Sequence, residues 1–225
     1  MRSTEDRSIP SHLFDSFALC RVRSVFERTK SSYLLLLEYN NAMPDYRRIY
    51  IPGGTFFFTL VTYKRRKIFA SNQAIDLLDL AISKVMAYHP FSIDAFCILP
   101  DHIHFIWTMN ENDCDYSLRI GQFKRYFSRM YWDKFAVYSD VSDSRIKRGE
   151  TVVWQRRFWE HTIRDHGDLS RHIEYIHYNP VKHGLVESAR DWIQSSFRQY
   201  VKDGFYDIDW ADNTNLKLEG TAFGE

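Results

Sequence analysis

The sequence predicts an α+β protein built on a ferredoxin-like antiparallel sheet with helices on one face. Two observations carry this prediction. Segments rich in aromatic and β-branched residues, typical of strands, alternate with segments whose apolar residues have the period of an amphipathic helix. Their order is β-α-β-β-α-β-α, which is the order of split β-α-β units.

The first three elements follow from residue type and from helix-breaking residues. Residues 56–63, FFFTLVTY, are aromatic and β-branched and predict a strand. Apolar residues at helical spacing predict a helix over residues 71–88, which ends before Pro90. Residues 91–99 predict a second strand, which leads directly into the strand described below.

The later elements alternate in the same way. Residues 113–132 interleave basic and aromatic side chains, which at helical spacing gives one apolar and one cationic side. Residues 152–163 predict an interrupted fourth strand. Residues 165–179 predict a helix, which Pro180 and Gly184 are expected to end.

Composition divides the chain into an N-terminal extension (1–45), a core (46–202) and an acidic tail (203–225). The tail has six acidic residues against Lys217 alone, so it carries −5, whereas residues 1–202 carry +6. A basic body attracts polyanions, and a tethered acidic tail competes for the same surface. A solvated charged surface without any partner is the alternative.

Other features argue against several classes of protein. No apolar run approaches the ~18 residues that a membrane span needs, and the N-terminus lacks the apolar segment of a secretory signal. The three cysteines form no C-x-x-C pair, which favours a reducing, cytoplasmic compartment. No G-x-x-x-x-G-K loop is present, so no nucleotide cofactor is expected.

His102 and His104 flank Ile103 in the third predicted strand. Side chains alternate between the two faces of a strand, so both imidazoles point the same way while Ile103 points into the core. Two imidazoles on one face suit the binding of a divalent metal ion. Two histidines on a half-exposed strand, without a ligand, are the alternative.

Tyr175 and Asn179 lie four positions apart in the last predicted helix, and therefore on one helix face. Both could face the same metal ion, Asn179 through its carbonyl oxygen and Tyr175 as a nearby hydroxyl. The alternative is a tyrosine at the edge of the core and an asparagine that ends a helix before Pro180.

Three segments together carry a resemblance to a known family: LPDHIH at 99–104, WQRRFWEH at 154–161 and HIEYIHYNPVKHG at 172–184. In this order they resemble the transposases associated with repetitive extragenic palindromes (REP), the REP-associated tyrosine transposases. These are single-tyrosine members of the HUH (His-hydrophobic-His) nucleases. The resemblance runs from about residue 46 to residue 210.

The resemblance implies a metal site. His102 and His104 match the pair that holds Mg²⁺ or Mn²⁺, and Asn179 matches the polar residue that completes the site. Because hard metal ions usually prefer carboxylates, such a site should bind weakly and use the substrate phosphate as a further ligand.

The resemblance also implies that Tyr175 is the nucleophile. Its attack on a phosphodiester would give a 5′-phosphotyrosine and release a 3′-hydroxyl, so that rejoining needs no ATP. Tyr178 and His177 are rival residues of the same kind, but helical phase puts each about 100° or more away around the helix.

The implied substrate is single-stranded or hairpin DNA, a palindrome with a short tetranucleotide at its foot. Basic residues would contact phosphates, and interleaved aromatic residues would stack unpaired bases unless they belong to the core. The start of the first strand, with its two glycines, would read the tetranucleotide through the backbone. The predicted DNA-binding residues are Gly53, Gly54, Thr55, Lys64, Arg65, Arg66, Lys124, Arg125, Arg129, Arg156 and Arg157. The aromatic candidates are Phe123, Tyr126, Phe127, Trp154, Phe158 and Trp159.

Two other functions compete with cleavage and rejoining of DNA. One is a domesticated transposase that binds palindromic repeats and rarely cuts them. The other is a zinc hydrolase that uses His-x-His together with further His or Asp ligands after a strand. An intact His-His-Tyr-Asn set favours cleavage, and the sequence leaves the choice between monomer and dimer open.

Overall fold

The computed structural model of the chain describes residues 50–135 and 153–212. The N-terminal extension and the tail beyond residue 212 lie outside them. Within them the strands are β1 (Thr55–Val61), β2 (Ser92–Ile98), β3 (His102–Thr108) and β4 (Trp159–Thr162). The α-helices are α1 (Asn72–Tyr88), α2 (Tyr116–Phe135), α3 (His166–Lys182) and α4 (Phe197–Lys202), and 3-10 turns lie at Tyr63–Arg65, Ile68–Ala70 and Ala189–Asp191. The predicted order of elements is confirmed, with α4 added at its end.

The strands form one antiparallel sheet in the order β2-β3-β1-β4. β1 pairs with β3 along its whole length, so that Thr55 lies opposite Thr108 at one end and Val61 lies opposite His102 at the other. The predicted fold class is therefore confirmed. None of the described helices combines the length and apolarity needed to cross a membrane.

Both faces of the sheet are buried. Phe56 and Phe58 of β1 join the core beneath α1 and α2, whereas the intervening Phe57 packs in the core beneath α3. A sheet that is apolar on both faces must be covered on both. The prediction of helices on one face holds for α1 and α2 but not for α3, which covers the opposite face.

The C-terminal end of α3 differs from the prediction. The helix does not end before Pro180 but continues to Lys182, with Pro180 buried inside it. Gly184 ends it with a φ of +64°. The amides of Gly184 and Leu185 donate to the carbonyl groups of Val181 and Pro180, both at 2.9 Å, which is a Schellman motif.

The strand predicted over residues 152–163 is interrupted, as expected. Only β4 pairs as a regular strand, and the segment before it forms an isolated bridge between Trp154 and Thr62. The amide of Tyr63 donates to the carbonyl of Val153 at 2.9 Å. This segment therefore lies beside the end of β1 that is nearest to His102.

The two glycines before β1 form a turn. Gly53 has a φ of +69°, a conformation that favours glycine. A Cβ on Gly54 would lie only 2.9 Å from the carbonyl oxygen of Ile51. The first glycine is thus needed for the turn and the second for the close backbone approach.

Candidate active site

β3 directs His102 and His104 towards the face that α3 covers. Ile103, between them, is buried in the opposite core, as strand alternation predicts. The two imidazole rings lie 4.9 Å apart, centre to centre, and stand nearly perpendicular at 85°. Both are buried, with exposed fractions of 2% and 0%, so this part of β3 is not the half-exposed strand of the alternative interpretation.

Each histidine is held through its Nδ1 atom. His102 Nδ1 lies 2.6 Å from a carboxylate oxygen of Asp101, and His104 Nδ1 lies 2.9 Å from the Thr59 hydroxyl. Nε2 is therefore the nitrogen of each ring that would bind a metal ion. His102 Nε2 is buried and makes no hydrogen bond.

The electrostatics of His102 favour its neutral form. Burial lowers the pKa of His102 below its usual range, although the hydrogen bond and charge of Asp101 act in the opposite direction. Burial alone would raise the pKa of Asp101, but the hydrogen bond from His102 and the charge of Arg65 outweigh burial and lower it. A neutral imidazole beside an ionised carboxylate is the form that binds metal ions.

α3 brings Tyr175 to this pair of histidines. The tyrosine ring lies 5.3 Å from the His104 ring, in an edge-on arrangement, and it is 1% exposed. Phe57 lies beside both, 6.1 Å from Tyr175 and 5.6 Å from His104. Asn179, one turn further along α3, is fully buried. The structure thus assembles His102, His104 and Tyr175 in one place and keeps Asn179 on the buried side of the same helix.

The rival residue His177 points elsewhere. It is fully buried against the rings of Phe197 and Tyr200, and its Nε2 lies 2.8 Å from the Ser196 hydroxyl. Burial lowers the pKa of His177 to about 3. His177 therefore belongs to the packing between α3 and α4. Tyr178, the other rival, is partly exposed.

The sequence analysis missed two residues of the site, Lys182 and His183. The Lys182 ammonium lies 5.0 Å from the centre of the Tyr175 ring, and the His183 ring lies 5.3 Å from that of His102. Both are exposed at the rim of the site. A helix that ended before Pro180 would include neither residue, although the glycine after them is a usual helix-end signal.

A second polar cluster anchors the N-terminal end of α3. Among the described His, Cys, Asp and Glu residues, one group has ligand atoms close enough to hold a metal ion, within 4.8 Å of one another. This group is His161, Asp168 and His172. These atoms already bind one another. His161 Nε2 lies 2.8 Å from an Asp168 carboxylate oxygen, and His172 Nδ1 lies 2.7 Å from the Asp168 carbonyl oxygen.

The geometry of this cluster fits a hydrogen-bonded clamp better than a metal site. A carbonyl oxygen only accepts, so His172 Nδ1 must carry a proton. The two imidazole rings are stacked 4.6 Å apart at 15°, so one ion cannot lie in both ring planes. The hydrogen bonds from the histidines lower the pKa of Asp168 far below its usual range, against the opposing effect of burial. The clamp joins β4 to the first turn of α3.

The predicted DNA contacts Lys64, Arg65 and Arg66 lie in the turn after β1, at the same end of the sheet as His102. Lys64 and Arg65 adopt φ values of 54° and 50°, which are unusual for residues other than glycine. The Arg65 guanidinium donates to Asp101 at 3.3 Å. This strained turn therefore links an exposed cation to the carboxylate that holds His102.

Arg156 and Arg157 are exposed in the segment that lies beside the end of β1. Lys124, on α2, donates to the carbonyl oxygen of Gln155 at 2.6 Å and so holds this segment from the other side. Lys124 thus already has a contact within the protein, whereas both arginines are accessible to DNA.

The remaining candidates on α2 divide between surface and core. Arg125 and Arg129 are exposed, but α2 lies on the face of the sheet opposite α3. Phe123, Phe127 and Trp154, considered as partners for bases, are buried in the main core. The other aromatic candidates are partly buried, namely Tyr126, Phe158 and Trp159.

Gly53, Gly54 and Thr55 are not brought to the histidine pair. They lie at the end of β1 opposite Thr108, about 20 Å from the Val61 end by the rise of a strand. The amides of both glycines donate to backbone carbonyl groups within the protein. The Thr55 hydroxyl lies 2.8 Å from that of Thr108.

Comparisons with known proteins agree with these motifs. The sequence model of the family described as Transposase IS200 like matches residues 54–179. A REP-associated tyrosine transposase of Escherichia coli K12 is 41% identical over 169 residues, covering 75% of this chain and 92% of that protein. A Haemophilus influenzae protein named for the same group is 43% identical over 178 residues, covering 79% of this chain and 99% of that protein.

The fold agrees as well. A solved structure of a REP-associated tyrosine transposase bound to a REP hairpin superposes with a TM-score of 0.65 and 39% identity, covering 81% of this chain and 98% of that one. The family model spans more than half of the chain, and the two curated relatives match over most of their length. The chain therefore belongs to the IS200-like transposase family and, within it, to the REP-associated tyrosine transposases.

Proposed function

We propose that this protein cleaves and rejoins single-stranded or hairpin DNA, with Tyr175 as the nucleophile and a divalent metal ion as cofactor. The observation that carries the proposal is the position of the Tyr175 ring, 5.3 Å from His104, which itself lies 4.9 Å from His102. The proposed nucleophile and the two imidazoles thus lie together in the buried layer between β3 and α3.

The residues of the site fit Mg²⁺ or Mn²⁺. His102 and His104 would bind the ion through Nε2, and Asn179 would add its side-chain oxygen. The fit is supported by the buried His102 Nε2, which makes no hydrogen bond, and by the Nδ1 contacts that fix both rings. When bound, the metal ion offsets the charge that develops on the non-bridging phosphate oxygens during attack.

The protein's own residues orient the reaction. Asp101 and Thr59 hold the two imidazoles, while the Phe57 ring packs edge-on beside Tyr175. The bond between Tyr175 Oη and phosphorus forms as the bond to the 3′-oxygen breaks. The phenolic proton leaves to solvent, and the released 3′-oxygen takes up a proton. The product is a 5′-phosphotyrosine whose bond is retained for rejoining.

The DNA partner is proposed to be a REP-type hairpin, because the superposed structure is of a transposase bound to such a hairpin. The predicted DNA-binding cations at the His102 end of the sheet are expected to make most of the phosphate contacts. They are Lys64, Arg65, Arg156 and Arg157, with Arg66 partly buried among them. The other predicted DNA-binding residues lie further from the histidine pair and would contact more distant parts of the hairpin. They are Gly53, Gly54, Thr55, Lys124, Arg125 and Arg129.

The proposal is tested by trapping the covalent intermediate. Purified protein would be incubated with Mn²⁺ and a pool of hairpins that have a randomised single-stranded foot and a label on the 3′ side of that foot. We expect a labelled protein–DNA adduct that survives denaturation, is lost in Tyr175→Phe and persists in the matched control Tyr178→Phe. An adduct that survives Tyr175→Phe would assign the nucleophile to another residue.

A further inference from the structure

The continuation of α3 past Pro180 brings a lysine to the nucleophile. Lys182 lies seven positions after Tyr175, close to two full helical turns, so the two side chains share one helix face. The Lys182 ammonium lies 5.0 Å from the centre of the tyrosine ring. Tyr175 is buried while Lys182 is exposed, so the ammonium stands between the nucleophile and solvent.

Two effects keep the ammonium in this position. A cation within about 6 Å of an aromatic ring is attracted by the negative charge on the ring face. In addition, Lys182 is in the last turn of α3, where the partial negative charge of the helix end favours a cation. The Schellman motif at Gly184 fixes that end, so Lys182 lies on a defined turn rather than on a loop.

We propose that Lys182 is a further catalytic residue, whose ammonium binds a non-bridging oxygen of the scissile phosphate as Tyr175 attacks it. This inference rests on the proposed function. A phosphodiester already carries one negative charge, and attack by a tyrosine oxygen concentrates more charge on the non-bridging oxygens. DNA that enters from solvent meets Lys182 before it meets Tyr175, and the flexible four-carbon stem lets the ammonium follow the phosphate.

The lysine acts by charge and keeps its own proton. As Tyr175 Oη bonds to phosphorus and the 3′-oxygen leaves, the phenolic proton passes to solvent and the 3′-oxygen gains one. The ammonium remains ionised throughout and then lies beside the phosphotyrosine that has formed. Lys182 would therefore stabilise the transition state of cleavage and, in the reverse direction, of rejoining.

The test compares two substrates that differ only in charge. One hairpin has an ordinary scissile phosphodiester, and the other has a neutral methylphosphonate at the same position. Lys182→Met removes the ammonium and keeps the length of the side chain, whereas Lys182→Arg keeps a positive charge. Lys202→Met is the matched control, because Lys202 is also an exposed lysine in the last turn of a helix.

We expect Lys182→Met to slow adduct formation on the phosphodiester about 100-fold, the usual effect of removing one group that stabilises an oxyanion. The same variant should lose far less on the methylphosphonate, which lacks the charge that the ammonium offsets. Lys182→Arg should restore most of the phosphodiester rate, and Lys202→Met should match the wild type. Hairpin affinity and melting temperature of Lys182→Met should stay near the wild-type values, since one phosphate contact among several is lost.

Equal slowing on both substrates would overturn the proposal, because it would mean that Lys182 only supports the position of the Tyr175 ring. A wild-type rate in Lys182→Met on the phosphodiester would overturn it as well. The proposed function fails separately, if the wild-type protein forms no Tyr175-dependent adduct at all.

Discussion

His102 Nδ1 lies 2.6 Å from a carboxylate oxygen of Asp101, the residue that precedes it in the chain. The other carboxylate oxygen of Asp101 accepts a hydrogen bond from Arg65 at 3.3 Å. Arg65 is exposed in a turn with positive φ values, whereas His102 is buried. A chain of two contacts therefore connects the surface to one of the three proposed metal ligands.

Asp101→Ala should weaken binding of Mn²⁺ by about 10- to 100-fold, the usual effect of losing a group that orients a metal-binding histidine. Asp101→Asn, which keeps one oxygen as an acceptor, should have a smaller effect. The measurement is the Mn²⁺ concentration that gives half-maximal adduct formation, together with calorimetric binding of Mn²⁺ alone. An unchanged Mn²⁺ requirement in Asp101→Ala would show that the carboxylate does not orient His102 for metal binding.

The clamp at the start of α3 gives a prediction about stability and pH. Asp168 is almost fully buried and is bound by His161 and His172. Asp168→Asn should lower the free energy of unfolding at pH 7 by about 3 kcal/mol, the scale for breaking a buried charged pair. The loss should appear as a lower midpoint in urea unfolding, without a change in slope.

The effect of Asp168→Asn should depend on pH with a defined sign. Because the folded-state pKa of Asp168 lies below the unfolded value of about 3.9, its carboxylate stabilises the fold above that pH. This stabilisation is lost as the pH falls below the unfolded value. The difference between wild type and variant should be full at pH 7 and shrink below about pH 4. A constant difference down to pH 3 would contradict this assignment.

The local pattern of the sequence was sufficient to predict β3 and its paired histidines. Alternation along a strand places His102 and His104 on one face whatever covers that face. Their depth of burial was not predictable, since it depends on α3 packing over them. The position of Phe57 was not predictable either, because three successive phenylalanines do not reveal which of them lies next to the site.

Other parts of the site depended on contacts that local patterns do not encode. Pro180 was expected to end α3, yet it is buried inside a helix that continues to Lys182 and so brings this lysine to Tyr175. The aromatic residues of α2 illustrate a second limit. Helical periodicity places Phe123 on the apolar side of α2, but it cannot distinguish a core residue from one that stacks on a base.

The segment after α4 yields a prediction about truncation. Tyr206 stacks on Phe197 with ring centres 5.6 Å apart, and Trp210 stacks on Tyr206 at 4.5 Å. Arg190 also pairs with Asp212 at 2.8 Å. The first part of the predicted acidic tail is thus packed on the body.

Truncation after residue 202 removes two partly buried aromatic rings. It should therefore destabilise the fold by about 3 kcal/mol, the scale for losing one large ring from a core. Truncation after Asp212 keeps Tyr206, Trp210 and the Arg190 pair and is the matched control, which should melt like the full chain. Equal melting temperatures for the two truncations would mean that these contacts contribute nothing to stability.

The charge of the tail can be separated from its packing in the full-length chain. Asp203, Asp207 and Asp209 are exposed beside the aromatic residues that anchor the segment. They follow α4, which packs on the same face of the sheet as Tyr175. Acidic groups tethered near a cationic surface compete with DNA phosphates at high effective concentration.

Changing these three aspartates together to asparagine should leave the melting temperature unchanged and tighten hairpin binding several-fold at low salt. The gain should decrease as salt rises, because exposed charges are screened beyond a Debye length of about 8 Å at physiological ionic strength. The measurement is a salt series of hairpin affinities, with the equally exposed Asp133→Asn on α2 as a control for lost charge far from the site. Equal affinities of the triple variant and the wild type at low salt would rule out competition by this part of the tail. A gain that persists at high salt would point to a direct contact with DNA in place of a long-range charge effect.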